Sequence, residues 1–424
     1  MSFSPLVAQS VSLATAQRSL GVPTITYPLW PPLTASYPRT STEIIAYPVE
    51  VAFNYTRGVG DFCDRPIEPG FERWAPLLPT LLPGGEMGEG AMPLVAMPRL
   101  AARAGLDGEL FLKDEGRNPI WSHKERLTRG AVSSAALNGA PGIVVASSGN
   151  HGAAAAYAAR AGLPCVVVTS ADAPPATRSF LLAYGAAVLG VPTEARWSVL
   201  RDIVERLGFM PVSNRTVTHI GHPFGPEGYK TIAYELFLRL GRRLPAAVFV
   251  PTSYGELLFG VWKGFCELRQ LGIVDNTPFM VACEPAVRAP LARAIAAGQP
   301  ALIVEPTPTD AYAVAVAVSV GDYRGVVVIC ESEGWTEAPD DAGLRQAQGA
   351  LAREGLWQEL SGAIGVAGLR EAVAAGRRFD GPVVCIGTSS GFKDIGVGRD
   401  TPPTVAPEWA TVAATVRREY GIGG

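Results

Sequence analysis

Histidine, cysteine and long apolar runs are all scarce in this chain, and each scarcity removes a class of function. Four histidines among 424 residues, none spaced with cysteines or carboxylates as metal ligands are, argue against a resident metal centre. The six cysteines, Cys63, Cys165, Cys266, Cys283, Cys330 and Cys385, are scattered singly, so neither a zinc spacing nor a disulfide framework is present. Four of them follow or sit inside apolar runs such as "LPCVVV" and "VVVIC", which predicts buried thiols in a reduced compartment. The longest nearly apolar run, "AYAVAVAVSV" at 311–320, is about half the roughly 20 residues that a helix needs to cross a bilayer, so no membrane span is expected. The N-terminus lacks a basic start followed by an apolar core, and a cytoplasmic protein is expected. Charge of one sign is lacking too: 36 Lys and Arg against 39 Asp and Glu leave a net charge of -3, no field to gather nucleic acid or an acidic membrane. A small molecule is the default substrate.

What the chain does have is apolar material, 48% of its residues against 18% charged, enough for two or three domains with sizeable cores. Residues 22–95 are crowded with proline, glycine and aromatics and show no helical period, which predicts an ordered, irregular wrap over a core or a partner subunit. From about residue 109, short β-branched runs alternate with helical stretches. "ELFLK", "GIVVAS", "PCVVVTS", "AAVLG", "AAVFVP", "FMVACE", "VVVICE" and "PVVCIG" read as strands. Helices are predicted over 124–138, 150–161, 175–184, 194–207, 227–240, 256–271, 286–297, 340–354 and 361–376. Strands this apolar, each followed by a helix, belong in parallel sheets covered on both faces. The polar loop 213–226 divides the series, so the fold class is α/β with two doubly wound domains of mainly parallel sheet. Ligands in such folds bind beyond the C-terminal strand ends.

Four segments there carry chemical promise. "ASSGNHGAAAAYAARAGL" (146–163) offers Ser147, Ser148, Gly149, Asn150 and His151 at a helix start, suited to a carboxylate or simply to capping. "VFVPTSYGELL" (248–258) places Thr252, Ser253 and Gly255 where hydroxyls and N–H groups cradle a phosphate, or form a plain turn. "VVCIGTSSGFKD" (383–394) ends a strand with Thr388, Ser389 and Ser390, hydroxyls able to meet a heterocycle nitrogen or to cap. "NPIWSHKERL" (118–127) puts Lys124 near a helix start, where the macrodipole disfavours a cation; that suits a nucleophilic amine, although a surface lysine paired with Glu125 is the plainer reading. His219 and His222 sit in the loop between the two halves: a structural hydrogen bond suits His219, while His222 is open between structure and substrate.

The joint order of these four segments resembles the fold type II pyridoxal-phosphate enzymes. Within them, "GAMPLVAMPRLA", "LFLKDEGRNPIWSHKER", "FGPEGYKTIAYEL" and "VVCIGTSSGFKD" are most similar to threonine synthase and its relatives, over roughly residues 85–395. The resemblance implies pyridoxal 5'-phosphate in a cleft between domains. It implies an internal aldimine on Lys124, whose freed amine then removes the α-proton. Asn150 would lie beside the cofactor's phenolic oxygen, and Thr388 beside its pyridine nitrogen. Thr252, Ser253, Tyr254, Gly255, Glu256 and Leu257 would hold its phosphate, while Ser147, Ser148, Gly149 and His151 would hold the substrate carboxylate, with His222 as a further substrate contact. A neutral hydroxyl at Thr388 makes the ring a weaker electron sink and favours loss of a leaving group over transamination.

Three departures stand out. Glu256 enters a cup that is usually rich in glycine or asparagine, so either it points outward or the cup is reshaped. His123 replaces a usual phenylalanine, which offers a second acid or base, a substrate contact, or merely a packed ring, and Trp121 stands where a small residue is usual. Gly225 stands about where threonine synthases place an arginine for the phosphate of phosphohomoserine. The reading is an enzyme that acts on an L-amino acid by β-elimination or β-replacement, with threonine synthase proper, or a catalytically inactive cofactor-binding protein, as the alternatives. The expected organisation is an irregular N-terminal extension (1–84), a large cofactor domain (85–124 and 211–424), a small inserted domain (125–210), and a homodimer.

Overall fold

In the computed structural model the described residues are 11–34, 47–60, 62–147, 149–171, 173, 175–213, 221–300, 302, 304–305, 307–311, 323–394 and 402–422. Ser148, His219 and most of the apolar run at 311–320 lie outside them.

The chain opens with β1 (Ala14–Ser19), β2 (Thr26–Pro28) and β3 (Val49–Phe53), an antiparallel sheet in the order β2-β1-β3. This is more regular than the wrap that the proline and glycine content suggests. β1 ("ATAQRS") holds no large apolar side chain and β2 is only three residues long, so neither shows the apolar alternation of a strand. Next come β4 (Leu94–Ala96), α1 (Pro98–Ala104), β5 (Leu110–Asp114) and α2 (Lys124–Leu137). A second set follows: β6 (Ile143–Ala146), α3 (Ala154–Arg160), β7 (Cys165–Ser170), α4 (Pro175–Ala183), β8 (Ala187–Val191), α5 (Arg196–Leu207) and β9 (Met210–Pro211). The chain then returns with α6 (Gly225–Arg239), β10 (Ala247–Pro251), α7 (Glu256–Gln270), β11 (Phe279–Cys283), α8 (Pro290–Ala296), α9 (Tyr323–Glu331), β12 (Trp335–Glu337), α10 (Asp341–Arg353), α11 (Ile364–Ala374) and β13 (Val383–Gly387). The last helix, α12 (Trp409–Tyr420), belongs to a separate unit of residues 394–424 and keeps Trp409 and Tyr420 exposed.

Two sheets carry the α/β alternation. The larger has the order β12-β11-β10-β13-β5-β4, parallel except for the β4–β5 edge; the smaller, β8-β7-β6-β9, is parallel throughout. Strands β10 and β13 are buried at every residue, as expected of central parallel strands covered on both faces.

One expected strand is a helix. "VVVICE" forms the body of α9, with Val328 and Ile329 buried, and the strand that follows is the shorter "WTE" of β12. A short apolar β-branched run fits a buried helix as well as a buried strand, so periodicity does not separate them. In consequence Cys330 faces outward and is exposed, against the expected burial, whereas Cys165, Cys283 and Cys385 are buried.

Three helices bear on the lysine. Gly228 of α6 lies so close to α2 that a Cβ there would be 1.9 Å from the Arg126 carbonyl oxygen; Gly260 of α7 likewise approaches the Pro226 oxygen, at 2.4 Å. Behind them, Arg126 donates to both oxygens of Glu115 (2.6 and 2.9 Å) and both of Glu235 (2.7 and 2.8 Å), and Lys113 donates to Glu235 at 2.5 Å. Two cations and two carboxylates are fully buried here, and each carboxylate is matched, the condition under which buried charge is tolerated. A second cluster docks β3 on α6 and α7: Lys263 pairs with Glu227 (2.7 Å) and Glu50 (3.1 Å), and Lys230 with Glu227 (2.7 Å) and Glu267 (2.8 Å).

Candidate active site

Lys124 is the first residue of α2, and the turn before it is stitched to the loop after β13. Trp121 stands at φ 64, a left-handed conformation that disfavours a side chain with a Cβ and explains why a small residue suits this position. The Trp121 carbonyl accepts from Ser390 N (3.0 Å), and Ser122 forms an antiparallel bridge with Ser389. The peptide of Ile120 is clamped on both sides: its N–H donates to the Glu125 carboxyl and its oxygen accepts from Lys393 Nζ at 2.9 Å. Glu125 is therefore no surface partner of the lysine. It is buried, and burial raises its pKa to about 8; burial likewise lowers Lys393 to about 8.

The Lys124 ammonium faces a small set of groups. Glu256 Oε2 lies 3.6 Å away, and the Tyr229 ring is 5.9 Å from the nitrogen. Glu256 is only 6% exposed, so it does not point outward: the cup is reshaped around a carboxylate turned toward the lysine. His123 stacks on Tyr229 with centroids 5.5 Å apart and planes at 26°. His123 Nδ1 is 3.0 Å from the Thr388 oxygen, which only accepts, so Nδ1 carries the hydrogen and Nε2 keeps its lone pair. Burial, and then the Lys124 charge, hold His123 well below its ordinary range, so it is neutral at pH 7.

The loop after β6 reaches the same place. Asn150 Nδ2 donates to Glu359 at 2.8 Å, and Asn150 Oδ1 accepts from Ser389 Oγ at 3.1 Å; the carboxylate acceptor fixes which way the amide points. Ser147 is buried, and its Oγ accepts from Gly149 N at 3.2 Å. His151 follows Asn150 in a one-turn helix that leads into α3.

At the α7 N-terminus, Gly255 caps the helix at φ 77, and a Cβ there would sit 3.1 Å from Gly325 N. Among the described residues no backbone carbonyl accepts from the N–H groups of Ser253, Gly255 or Leu257. These unengaged N–H groups at the start of a 15-residue helix, with Gly255 allowing the left-handed turn before it, make an anion cradle. The Thr252 hydroxyl is engaged with the Val250 oxygen at 2.8 Å, so it braces the strand end instead of facing the cradle. Thr388 is buried, and its hydroxyl lies 3.2 Å from where a Cβ on Gly362 would be.

The geometry of the 222–225 segment gives no support to His222 as a substrate contact and agrees with the departure noted at Gly225. His222 accepts from Phe224 N at Nδ1 and meets Ser134 Oγ at Nε2, both at 3.2 Å, so neither ring nitrogen is left for a substrate. Complete burial lowers it to about 3. Gly225 has no room for any side chain, since a Cβ would be 2.7 Å from Leu127 Cγ, and nothing like an arginine fits there. Sequence reasoning missed Tyr229, Glu359 and Lys393. Lys393, inside "TSSGFKD", and Tyr229, inside "FGPEGYKTIAYEL", stand in quoted motifs, whereas Glu359 stands in a stretch without one.

A family model described as pyridoxal-phosphate dependent enzyme matches residues 85–389. Threonine synthase of Methanosarcina acetivorans is 33% identical over 335 residues, which is 77% of this chain and 80% of that relative. Threonine synthase of Mycobacterium tuberculosis (strain ATCC 25618 / H37Rv) is 31% identical over 356 residues, 82% of this chain and 92% of that relative. Among solved structures, maize serine racemase superposes with a TM-score of 0.61 at 21% identity, covering 73% of this chain and 89% of its own. The processed form of threonine deaminase isoform 2 from Solanum lycopersicum does so with a TM-score of 0.60 at 21% identity, covering 70% and 83%.

Proposed function

The chain belongs to the pyridoxal-phosphate dependent enzymes, and on that premise we propose that it is a lyase or synthase that removes or replaces a group at Cβ of an L-amino acid. The cofactor, when bound, supplies the sink for the electrons left at the α-carbon. The cradle at Ser253–Leu257 fits its phosphate, because the N–H groups of Ser253, Gly255 and Leu257 are unengaged at a helix start and Gly255 allows the left-handed turn that opens it. Lys124 would hold its carbonyl carbon, Asn150 and Thr388 its ring, and Ser147, Ser148, Gly149 and His151 the substrate carboxylate.

The observation that carries this reading is convergence. His123, Asn150 and the 388–390 loop are tied by hydrogen bonds around the Lys124 turn, although they stand up to 265 residues apart in sequence. Asn150 is held by Glu359 and Ser389, so its amide is oriented before any ligand arrives. Lys124, as an amine, takes the α-proton. Neutral His123 packs its ring on Tyr229 and keeps a second positive charge away from the lysine. With Gly225 closed against Leu127, no basic side chain can stand at that position to grip a second phosphate, which supports a leaving group other than phosphate. The rival reading, threonine synthase proper, is favoured by the names of the relatives. We further propose that the two larger sheets mark two domains, the smaller one inserted at 125–210, and that the chain works in the cytoplasm as a homodimer.

The purified protein incubated with pyridoxal phosphate should develop a visible absorption band that Lys124→Ala abolishes; a colourless wild type would sink the proposal. Phosphate released from phosphohomoserine at rates typical of enzymes would replace the β-chemistry by the rival reading.

A further inference from the structure

The helix α8 is seven residues long and starts where its own sequence supplies no cap. Its N-cap is Ala289, a left-handed alanine at φ 34 whose side chain accepts nothing, and its first residue, Pro290, has no N–H. The next two N–H groups, of Leu291 and Ala292, donate to Glu284 Oε1 at 3.2 Å and Oε2 at 2.9 Å. Glu284, directly after β11, thus does from outside the helix what an N-cap side chain does within one. Its side chain is buried, and burial raises it to about 7 against the pull of the two N–H groups and the Arg293 charge. A helix this short is marginal alone, so its seat depends on such an anchor.

From α8 the contacts run on to the anion cradle. Leu291, whose N–H Glu284 holds, packs so closely on α9 that a Cβ on Gly325 would be 2.7 Å from Leu291 Cδ2. Gly325 lies in turn against the cradle, since a Cβ on Gly255 would be 3.1 Å from Gly325 N and 3.5 Å from its Cα. No gap along this line absorbs a displacement of α8, and close-packed contacts pass such shifts on. The strand ends are joined as well: Thr252 N donates to the Cys283 oxygen at 2.9 Å, one residue before Glu284. We propose that Glu284 is a positioning residue for the phosphate cradle: by holding the first turn of α8 it sets Leu291 against Gly325, and the Gly325 backbone against Gly255. This rests on the reading of the cradle at 253–257 given above. A carboxylate that served stability alone would, when replaced, weaken binding of the cofactor with or without its phosphate. A positioning residue affects the phosphate's share.

Absorbance titrations of the full chain with pyridoxal phosphate and with pyridoxal, which lacks the phosphate, separate the two. Glu284→Gln keeps the size but turns an amide NH2 toward one of the two N–H groups. It should raise the Kd of pyridoxal phosphate at least about fivefold and that of pyridoxal less than about twofold. Gly325→Ala, driven into Leu291, should act in the same direction, and adding Leu291→Ala should restore the affinity by making room. Inorganic phosphate gives a readout without the aldehyde: it should raise the Tm of the wild type, and raise that of Glu284→Gln less. Equal losses for pyridoxal phosphate and pyridoxal would overturn the positioning role, as would a Gly325→Ala defect that Leu291→Ala leaves unrelieved. If the wild type itself responds to neither inorganic phosphate nor pyridoxal phosphate, the cradle reading falls, and the role of Glu284 with it.

Discussion

His222 and His123 are both neutral, yet they serve the fold differently. His123 keeps Nε2 available beside the lysine, whereas His222 is locked at both nitrogens. Because burial depresses His222 to about 3, against the ordinary 6.5, its unfolded form binds a proton that the folded form refuses. Its contribution to stability is therefore whole above pH 6.5 and is lost as the pH falls toward 3. Between pH 7 and pH 5 that loss is on the order of 2 kcal/mol. Glu125 and Glu284, raised by burial to about 8 and about 7, titrate in the opposite sense, so absolute stability does not isolate the histidine. The difference between wild type and His222→Asn does. In urea unfolding the penalty of the substitution should shrink by about 2 kcal/mol from pH 7 to pH 5; an equal penalty at both would show that His222 is not held neutral. At this scale the sequence was least informative. Glu359 meets Asn150 across 209 positions, and no local pattern marks a carboxylate whose partner arrives from so far away.

Between elements, the decisive residues are the glycines of α6 and α7. A methyl group on Gly228 would have to displace the Arg126 carbonyl, which belongs to the helix that starts at Lys124. Gly228→Ala should therefore destabilise the protein by about 3 kcal/mol and weaken cofactor retention together. Gly349 in α10 is the control: its nearest neighbour to a new Cβ is a side-chain tip 3.6 Å away, so Gly349→Ala should stabilise by about 0.5 to 1 kcal/mol. Thermal unfolding of both variants with spectral titration of cofactor checks the pair, and equal effects of the two substitutions would refute the packing argument. Elements with a clear period, such as α2, α7 and α10, were legible within a few residues of their ends. α9 was not, because "VVVIC" is short and uniformly apolar, and neither were β1, which holds no large apolar side chain ("ATAQRS"), and β2, which is three residues long.

For the whole molecule, the α/β class and the order of the four site loops were readable, since each loop sits at a strand end in a repeating pattern. The sheet order was not, because it depends on which apolar edges find one another. β13 is the last strand of the large sheet to be made, and it fills the slot between β10 and β5. During synthesis β5 therefore waits for its parallel neighbour while some 270 residues are added, roughly half a minute at about 10 residues per second. Until then two apolar strand edges face an empty slot, the arrangement most exposed to wrong pairing. Ribosome-stalled chains ending at Gly381 should be cut readily by protease within 90–270, and chains stalled after β13 has cleared the exit tunnel should resist; equal resistance would mean that the sheet closes without its central strand. Translation speed along the last third of the message, as much as any side chain, would then set how much active protein a cell obtains.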